Sequence, residues 1–357
     1  MHLRESFFCI IMVIANSLCI GEEKKWETTR LIWNVGLASQ FASKENSDPY
    51  LFFSRGYVFP ELSEIEKSVV WIRPAWFRQF YNERDKIKTP VVVVVCDGDE
   101  SFPSDCIDRQ SLEELLKDKK ILHIFAQNCD YMGSSSKISP IPIGIDFHTL
   151  AYKGLPSYWG EVTMSPWMQE TILKRVASRL KPTHERKKKI YIDFHFHDTM
   201  RTGCFQRYLQ WGEDRQEIFN RLMLTGLVEA PPKPTRRTQL WMTKGQYAFS
   251  VSPHGNGLDC HRTWEDLALG CIVIVKTSPL DRLYEDLPVV IVKDWAEVTE
   301  ENLEKWLAFY GNALENPTYR ERLSMQFWLH KIKAEVNLYE ASICDTKHEK
   351  DRKVLQR

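Results

Sequence analysis

Short runs of consecutive apolar residues alternate along this chain with longer amphipathic stretches. The run at residues 91–95 consists of five valines, and residues 69–72 and 121–125 are also almost entirely apolar. Strands that are apolar at every position, rather than at alternate positions, are typical of parallel sheets covered by helices on both faces. The alternation of such strands with helical patterns therefore predicts an α/β fold with mostly parallel sheets.

The predicted strands and helices fall into two similar halves. Strands are predicted at residues 69–72, 91–95, 121–125 and 141–145, and then at 190–196, 247–251, 271–275 and 289–292. Helical patterns are predicted at residues 111–119, 172–180, 215–224, 263–269 and 299–309. A polar stretch at residues 181–189, which contains Pro182, separates the two sets. Two α/β halves that face each other create a cleft.

The domain prediction follows from this division. We expect two Rossmann-like domains facing across a cleft, the first at residues 22–185 and the second at residues 186–344. Asn316 and Pro317 are typical of an N-cap and N1 pair, and they predict a long C-terminal helix to about residue 339. The tail at residues 345–357 is expected to be frayed.

The first 21 residues have the pattern of a signal peptide. A short polar opening with Arg4 precedes a mostly apolar run at residues 7–20, and Gly21 separates this run from charged residues. Such a run is shorter than the roughly 20 residues of a membrane span. We therefore expect a protein of the secretory pathway, in the ER or Golgi lumen or secreted. An uncleaved signal anchor is the alternative, and it is the one case in which a membrane contact is expected.

Composition excludes several classes of protein. Lys and Arg together number 48, and so do Asp and Glu, so the chain has no basic surplus for binding nucleic acid. The 12 Trp, 13 Tyr and 18 Phe residues are too many for a disordered chain. No two cysteines have the C-x-x-C spacing of a zinc ribbon or a redox motif, and the sequence does not define any disulfide pairing.

The segment at residues 247–275 is the most informative about function. A predicted strand leads into the loop His254-Gly255-Asn256-Gly257, and a helix follows that carries Arg262 and Glu265. Glycines let backbone N–H groups approach an anion, and a helix N-terminus favours phosphate. Arg262 offers a planar fork of donors for phosphate oxygens, and Glu265 on the same helix face offers acceptors for sugar hydroxyls. The same pattern also fits an ordinary βαβ turn with a surface ion pair between Arg262 and Glu265.

Three pieces of this segment resemble the C-terminal domain of exostosin-like glycosyltransferases. They are Phe-Ser-Val-Ser-Pro-His-Gly at residues 249–255, Arg-Thr-Trp-Glu at 262–265 and Leu-Gly-Cys-Ile-Val at 269–273, and Asp294-Trp295 after a Val-Val-Ile-Val strand is a fourth match. The resemblance covers about 50 residues. The chain has Val273 where the family usually has proline, and Cys260 and His261 where the family is richer in serine, so the sugar specificity stays undefined.

The resemblance implies a GT-B fold, with a nucleotide-sugar donor held mainly by the second domain and transferred to a glycan or glycoprotein acceptor. It implies that Arg262 contacts the donor diphosphate and Glu265 the ribose, while His254, Gly255 and Asn256 line the donor pocket. It also implies that no metal is required, because side chains and helix N-termini neutralise the leaving diphosphate. Arg201, in the loop after residues 190–196, is a further candidate for the donor phosphates.

Two carboxylates are candidates for the general base. Asp130 follows the predicted strand at residues 121–125, and Asp146 follows the one at residues 141–145. Functional groups collect at the carboxyl ends of strands in α/β clefts, and either carboxylate could take the proton of a sugar hydroxyl. The sequence does not define whether transfer retains or inverts the anomeric centre.

Three alternatives stay open. Asp97 and Asp99 after the valine strand could hold Mg²⁺ or Mn²⁺ in a metal-dependent glycosyltransferase, or could form a solvated Asp-Gly turn. His195 and His197 alternate on a predicted strand and could chelate a metal, although no third ligand is identified. A non-catalytic glycan-binding or scaffold protein of the same fold is the third alternative.

Overall fold

The computed structural model describes residues 29–42, 57–65, 68–151, 162–194, 196, 214–231, 235–313 and 316–355. A first parallel sheet contains β1 Val69–Ile72, β2 Val91–Val95, β3 Ile121–Ala126 and β4 Ile138–Pro140, in the spatial order β1-β2-β3-β4. All five residues of β2 are buried, as expected for a central strand covered on both faces.

A second parallel sheet is formed by the later part of the chain. Its strands are β5 Lys187–Tyr191, β6 Val228–Glu229, β7 Tyr247–Val251, β8 Ile272–Lys276 and β9 Val289–Val292, in the order β6-β5-β7-β8-β9. The predicted α/β architecture with parallel sheets is therefore confirmed. Four predicted strands, at 69–72, 91–95, 247–251 and 289–292, have the predicted bounds.

Helices connect and cover the strands. In chain order they are α1 Asn34–Ser39, α2 Phe77–Glu83, α3 Arg109–Lys117, α4 His148–Ala151, α5 Pro166–Ala177, α6 Arg215–Leu224, α7 Arg237–Lys244, α8 His261–Ala268, α9 Glu300–Tyr310, α10 Pro317–Arg322 and α11 Met325–Leu355. Asn316 caps α10 as predicted, because its side chain accepts from the Thr318 N–H at 3.0 Å. The chain then has two helices, α10 and α11, in place of one continuous helix from residue 317.

The predicted strand at residues 141–145 was wrong. The strand β4 ends at Pro140, and Pro142 has no N–H with which to continue a ladder. Gly144 then has a φ of 71°, in the left-handed region, and pairs with Trp33 in an isolated antiparallel bridge. The chain therefore turns away from the sheet here and carries the following Asp146 and His148 to the sheet edge.

The hydrophobic core joins the two sheets. One cluster of buried side chains includes β2 and β3 together with Trp264 of α8 and Trp328 and Ile332 of α11. A second cluster covers the other part of the second sheet, with Phe249 and Trp295 among its largest members. The C-terminal helix α11 packs against β2 and β3, so the end of the chain returns to the first sheet.

Several predicted features lie outside the described residues. They are the signal peptide at residues 1–21, the donor-site candidate Arg201, and His195 and His197. None of the helices in the described part of the chain combines the length and the hydrophobicity that a transmembrane span requires. Among the described residues, Cys96, Cys106, Cys129, Cys260 and Cys271 are free thiols.

Candidate functional site

A cleft of about 530 Å³ lies at the carboxyl ends of β1, β2 and β3. The residues that follow these three strands line it, together with residues from α1, α4 and the N-terminus of α8. The lining residues are Asn34, Arg73, Ala75, Asp97, Gly98, Asp99, Glu100, Gln127, Ile143, His148 and His261. Because His261 follows a strand of the second sheet, the cleft lies where the two sheets meet, which is where α/β folds place their ligands.

The acidic loop after β2 is held in place from β3. Gln127 accepts from the Asp97 N–H at 3.1 Å and donates to the Gly98 carbonyl at 2.7 Å. The Asp97 carboxylate lies 3.1 Å from Arg73 Nε and accepts from Asn34 Nδ2 at 3.3 Å. Asp99 instead accepts from Asn256 Nδ2 at 3.3 Å. The two carboxylates of the Asp-x-Asp pattern thus contact different partners, and Arg73 already balances the charge of Asp97.

Asp146 and His148 form a dyad at the cleft. Asp146 Oδ1 lies 3.2 Å from His148 Nδ1 and accepts from the Thr149 N–H at 3.0 Å. Arg237 of α7 donates through Nη2 to Asp146 Oδ2 at 2.6 Å and through Nη1 to the Asp146 carbonyl at 2.5 Å. A helix of the second sheet therefore fixes the carboxylate, and the carboxylate in turn orients the imidazole that lines the cleft.

The protonation states of this dyad follow from its surroundings. Burial alone would raise the pKa of Asp146, but Arg237 and the imidazoles of His148 and His261 hold that pKa well below its usual range. Burial lowers the pKa of His148, and the nearby Asp146 carboxylate opposes this shift only in part. At neutral pH Asp146 is therefore ionised and His148 is neutral. The imidazole is the better proton acceptor of the two.

His261 completes the histidine side of the cleft. Its Nδ1 donates to the Gly144 carbonyl at 2.7 Å, and its ring lies 5.2 Å from that of His148. Ligand atoms of Asp146, His148 and His261 all lie within 4.8 Å of one another, which is a spacing that could hold a metal ion. Arg237 already neutralises the Asp146 carboxylate, however, and a cation beside that guanidinium is electrostatically disfavoured. The arrangement favours acid–base chemistry over metal binding.

Asp259 fastens the second sheet to the first. Its carboxylate accepts from the N–H of Ile143, which follows the first sheet, at 2.8 Å. It also accepts from Trp264 Nε1 at 2.9 Å. The Asp259 N–H in turn donates to Asn128 Oδ1 at 2.9 Å. Burial raises the pKa of Asp259 to about 6 in spite of these donated hydrogen bonds.

This shift predicts a pH dependence of stability. Because the pKa of Asp259 is raised from 3.8 to about 6 on folding, the native state binds more protons than the unfolded state between these values. The contribution of Asp259 to the free energy of unfolding therefore falls as the pH rises from 4 to 6. We expect the free energy of unfolding of Asp259→Asn, measured with urea at pH 4, 5 and 6, to decrease less with rising pH than that of the wild type. An unchanged slope contradicts the assignment.

The predicted donor-loop residues lie beside the cleft. His254 is buried, and its Nδ1 bonds the Leu258 carbonyl at 2.9 Å. A Cβ on Gly255 would lie 2.8 Å from Arg215 Nη2, so any other residue there would displace this guanidinium. Asn256 points across to Asp99 at the cleft edge. Asn256 therefore contacts a cleft-lining side chain.

Arg262 and Glu265 are both largely buried on α8. Arg262 Nε lies 3.1 Å from Asp193 Oδ1, and Arg262 Nη1 has no hydrogen-bond partner among the described residues. Glu265 accepts from Trp241 Nε1 at 3.0 Å. The two side chains therefore do not form the i,i+3 surface ion pair, because each contacts a partner from a distant part of the sequence. Neither lines the cleft described above.

Arg262 belongs to a buried network of charges. Lys244, fully buried, contacts the carboxylates of Asp193 and Asp266, and Asp193 also contacts Arg262. Burial raises the pKa of Asp266 to about 6, with Lys244 opposing the shift. Burial also opposes the charge of Lys244, but the two carboxylates hold the pKa of Lys244 above its usual range. Two anions and two cations thus balance behind the N-terminus of α8.

Asp130 lies apart from the cleft lining. Its carboxylate accepts from the hydroxyl and the N–H of Ser104, and it thereby holds the turn that follows β2. Burial raises the pKa of Asp130. The structure brings Asp146 and Asn256 to the cleft, and places Asp130, Arg262 and Glu265 in separate hydrogen-bond networks.

Sequence reasoning missed three groups at the site. Arg237 and His261 contribute from the second sheet, and Arg73 follows β1. The local sequence around Arg237 carries no motif, and its partner Asp146 is 91 positions away. For Arg73 a signal existed, since it directly follows a predicted strand at the edge where Asp97 was expected.

Comparisons with known proteins leave the family open. No family model matches the chain, and no curated protein does. Among solved structures, the α,α-trehalose 6-phosphate synthase of Burkholderia multivorans has a TM-score of 0.42 at 13% identity, covering 80% of this chain and 74% of that one. The synthase of Burkholderia xenovorans has a TM-score of 0.38 at 13% identity, covering 75% and 73%. An α1,3-fucosyltransferase has a TM-score of 0.34 at 13% identity, covering 80% and 79%. Similarity at this level defines neither the fold nor the activity of this chain.

Proposed function

We propose that the protein is a glycosyltransferase of GT-B architecture, which moves a sugar from a nucleoside diphosphate to a hydroxyl of a glycan or glycoprotein. The observation that carries the proposal is the Asp146–His148 dyad. It places a neutral imidazole, backed by an ionised carboxylate, in a cleft between two parallel sheets. Such a pair is suited to take the proton of an attacking hydroxyl.

The acceptor side of the reaction is assigned to the cleft. His148 acts as the general base, and Asp146 is a positioning residue, because Arg237 keeps its carboxylate ionised and aimed at the imidazole. The acceptor oxygen attacks the anomeric carbon as its proton passes to His148. The bond from that carbon to the diphosphate oxygen breaks, and the electron pair leaves with the diphosphate.

The donor side is assigned to the N-terminus of α8. Arg262 Nη1 is buried and without a hydrogen-bond partner in the described part of the chain, and a diphosphate oxygen would satisfy it. The N-terminal N–H groups of α8 add a favourable dipole for the same anion. We keep Arg201, His254, Gly255, Asn256 and Glu265 as proposed donor-pocket residues, and Asp130 as a second, less favoured base.

The wider organisation belongs to the same proposal. We propose an acceptor-side domain at residues 22–185 and a donor-side domain at residues 186–344 with the final helix. We propose that the diphosphate needs no metal, because Arg262 and the helix N-terminus neutralise it. Passage through the secretory pathway follows from the proposed signal peptide.

The test is a ligand screen on the purified chain. Thermal unfolding is measured with a panel of nucleoside diphosphates and their sugars, with and without Mn²⁺, and release of free nucleotide is followed in parallel. We expect one nucleotide to raise the unfolding midpoint without metal. In Arg262→Ala its affinity should fall about 10- to 100-fold, because hydrogen bonds to a charged group are worth about 1.5–3 kcal/mol. Arg109→Ala, on an exposed side chain of α3, is the matched control.

The outcomes separate the alternatives. The absence of a midpoint shift with every nucleotide contradicts the proposal. A shift that appears only with Mn²⁺ and disappears in Asp99→Ala supports the acidic-loop transferase instead. Binding without any release of nucleotide, in the presence of a broad set of acceptors, supports a non-catalytic relative.

A further inference from the structure

Three aromatic side chains lie together beside the cleft. Trp76 ends the 3₁₀ turn Pro74–Trp76, which follows β1, and the neighbouring Ala75 lines the cleft. The ring of Phe59 stacks against Trp76 with 6.1 Å between centroids, and the ring of Tyr57 lies 5.8 Å away. Tyr57 and Phe59 are half-buried against the core, whereas Trp76 is 39% exposed.

The rings of Phe59 and Tyr57 hold the indole of Trp76 in place, and part of this indole is exposed to solvent. A tryptophan whose ring is held by two other aromatic rings loses little further side-chain freedom on binding a ligand, which lowers the cost of contact. An indole offers a flat apolar surface, and the C–H face of a sugar ring matches it. A single exposed tryptophan is common on protein surfaces, so the identity of its neighbours decides what it could bind.

The turn that carries Trp76 packs against a loop that is rich in hydrogen-bond acceptors. The acidic loop packs on the same turn, since a Cβ on Gly98 would lie 3.0 Å from Pro74. Asp99 and Glu100 of that loop line the cleft, while the guanidinium of Arg73 is paired with Asp97. Carboxylates accept from hydroxyl groups but repel phosphate. The part of the lining formed by Asp99 and Glu100 therefore suits a ligand that is rich in hydroxyl donors and carries no negative charge.

We propose that Trp76, Asp99 and Glu100 form a subsite for an uncharged saccharide ring. In this site one sugar face stacks on the indole, and its hydroxyls donate to the two carboxylates. The proposal that a saccharide binds here depends only on the stacking and these hydrogen bonds, and not on the proposed function. The further conclusion, that the acceptor is a neutral glycan of more than one ring rather than a sugar phosphate, rests on the proposed function.

Direct binding tests the subsite without any need for turnover. Saturation-transfer NMR and titration would measure affinity of the full chain for cellotriose, maltotriose and chitotriose, with glucose 6-phosphate as the charged comparison. We expect at least one neutral trisaccharide to bind with a millimolar or better dissociation constant, and more tightly than glucose 6-phosphate. Trp76→Ala should weaken its binding about tenfold, the loss of about 1.4 kcal/mol of ring contact, and Trp76→Phe should weaken it less.

Matched variants make the result decisive. Trp167→Ala removes another exposed tryptophan, 42% exposed at the start of α5 and outside the cleft lining, and should leave binding unchanged. Asp99→Asn/Glu100→Gln removes two negative charges that repel phosphate. It should therefore reduce the ratio of the affinity for the neutral saccharide to the affinity for glucose 6-phosphate. Equal losses in Trp76→Ala and Trp167→Ala overturn the proposal, as do tighter binding of glucose 6-phosphate by the wild type or a failure of all three trisaccharides to bind. If a trisaccharide binds through Trp76 while the nucleotide screen is negative, the subsite stands and the transferase proposal fails.

Discussion

The His148→Gln protein is expected to bind the donor nucleotide as the wild type does and to transfer its sugar about 10²- to 10⁴-fold more slowly. Glutamine keeps much of the size and polarity of the imidazole but cannot accept a proton at neutral pH. Because the base acts only as the acceptor hydroxyl attacks, the loss should appear in kcat, and the donor KM should change little. Steady-state kinetics with the nucleotide sugar identified by the ligand screen measure both quantities.

The pH profile gives an independent reading of the same residue. Burial holds the pKa of His148 below its ordinary value of 6.5, so the base becomes protonated and activity is lost only at a pH below that value. Asp146, His261, Asp97 and Arg237 are the charged or titratable groups that act on this imidazole. Asp146→Asn removes a negative charge that raises the pKa of His148. The acid limb of kcat/KM should therefore move to still lower pH in that variant.

A control separates the chemistry from the loss of a histidine. His184 is about half exposed in the 3₁₀ turn Thr183–Glu185 and does not line the cleft, so His184→Gln should retain wild-type kinetics. A kcat for His148→Gln close to that of the wild type would exclude the imidazole as the base. An acid limb that stays in place in Asp146→Asn would show that the carboxylate does not act through His148.

The strands were predictable because buried strands of a parallel sheet appear in the sequence as runs of consecutive apolar residues. Five valines in a row at 91–95 fit a strand covered on both faces, and the structure places them in the centre of the first sheet. The order of the strands is a different matter, since β5 pairs with both β6 and β7, and no local pattern specifies that choice. At residues 141–145 the apolar content was right, but Pro142 and the left-handed Gly144 prevented a strand.

The contacts at the site were harder to predict from the sequence because they join side chains that are far apart along the chain. The motif with Arg262 and Glu265 is local, but the partners of these residues, Asp193 and Trp241, come from distant parts of the sequence. Asp146 was a candidate because of its place after an apolar run. Its pairing with Arg237, which favours His148 as the base, depends on how the two sheets dock. The sequence thus indicated which strand ends carry polar side chains. The packing of the two sheets decides which partner each of these side chains contacts, and therefore its chemical role.

Replacing Lys244 with methionine is expected to destabilise the protein by about 3–5 kcal/mol, the usual cost of removing one partner from a buried ion pair. Lys244 is fully buried, and its Nζ lies 2.6 Å from Asp266 Oδ1 and also contacts the carboxylate of Asp193. Methionine fills a similar volume but leaves two carboxylates facing each other without a cation between them. Urea unfolding at pH 7 would show the loss as a lower midpoint. Lys188→Met, at an exposed lysine of β5, should have little effect.

The pH dependence of this variant follows from the same charges. The pKa of Asp266 is already raised to about 6 by burial, and the loss of Lys244 removes a cation that lowers it, so the pKa rises further. A carboxyl whose folded-state pKa is raised binds its proton more tightly in the native state, so stability is regained as the pH falls through that value. We therefore expect the stability difference between Lys244→Met and the wild type to be largest at pH 7 and to shrink towards pH 5. A difference that is constant with pH would point to lost packing rather than unpaired charge.

A second substitution connects this network to the donor site. Lys244→Met/Asp266→Asn removes one cation and one anion, which leaves the Asp193–Arg262 pair at 3.1 Å as a neutral unit. We expect the double variant to recover most of the stability lost in Lys244→Met, with a coupling energy that a double-mutant cycle measures. Its affinity for the donor nucleotide should nevertheless be below that of the wild type. Asp193 loses the Lys244 contact that fixes its carboxylate, and Arg262 is then held less firmly towards the diphosphate. Full recovery of both stability and affinity would show that Lys244 serves the fold alone.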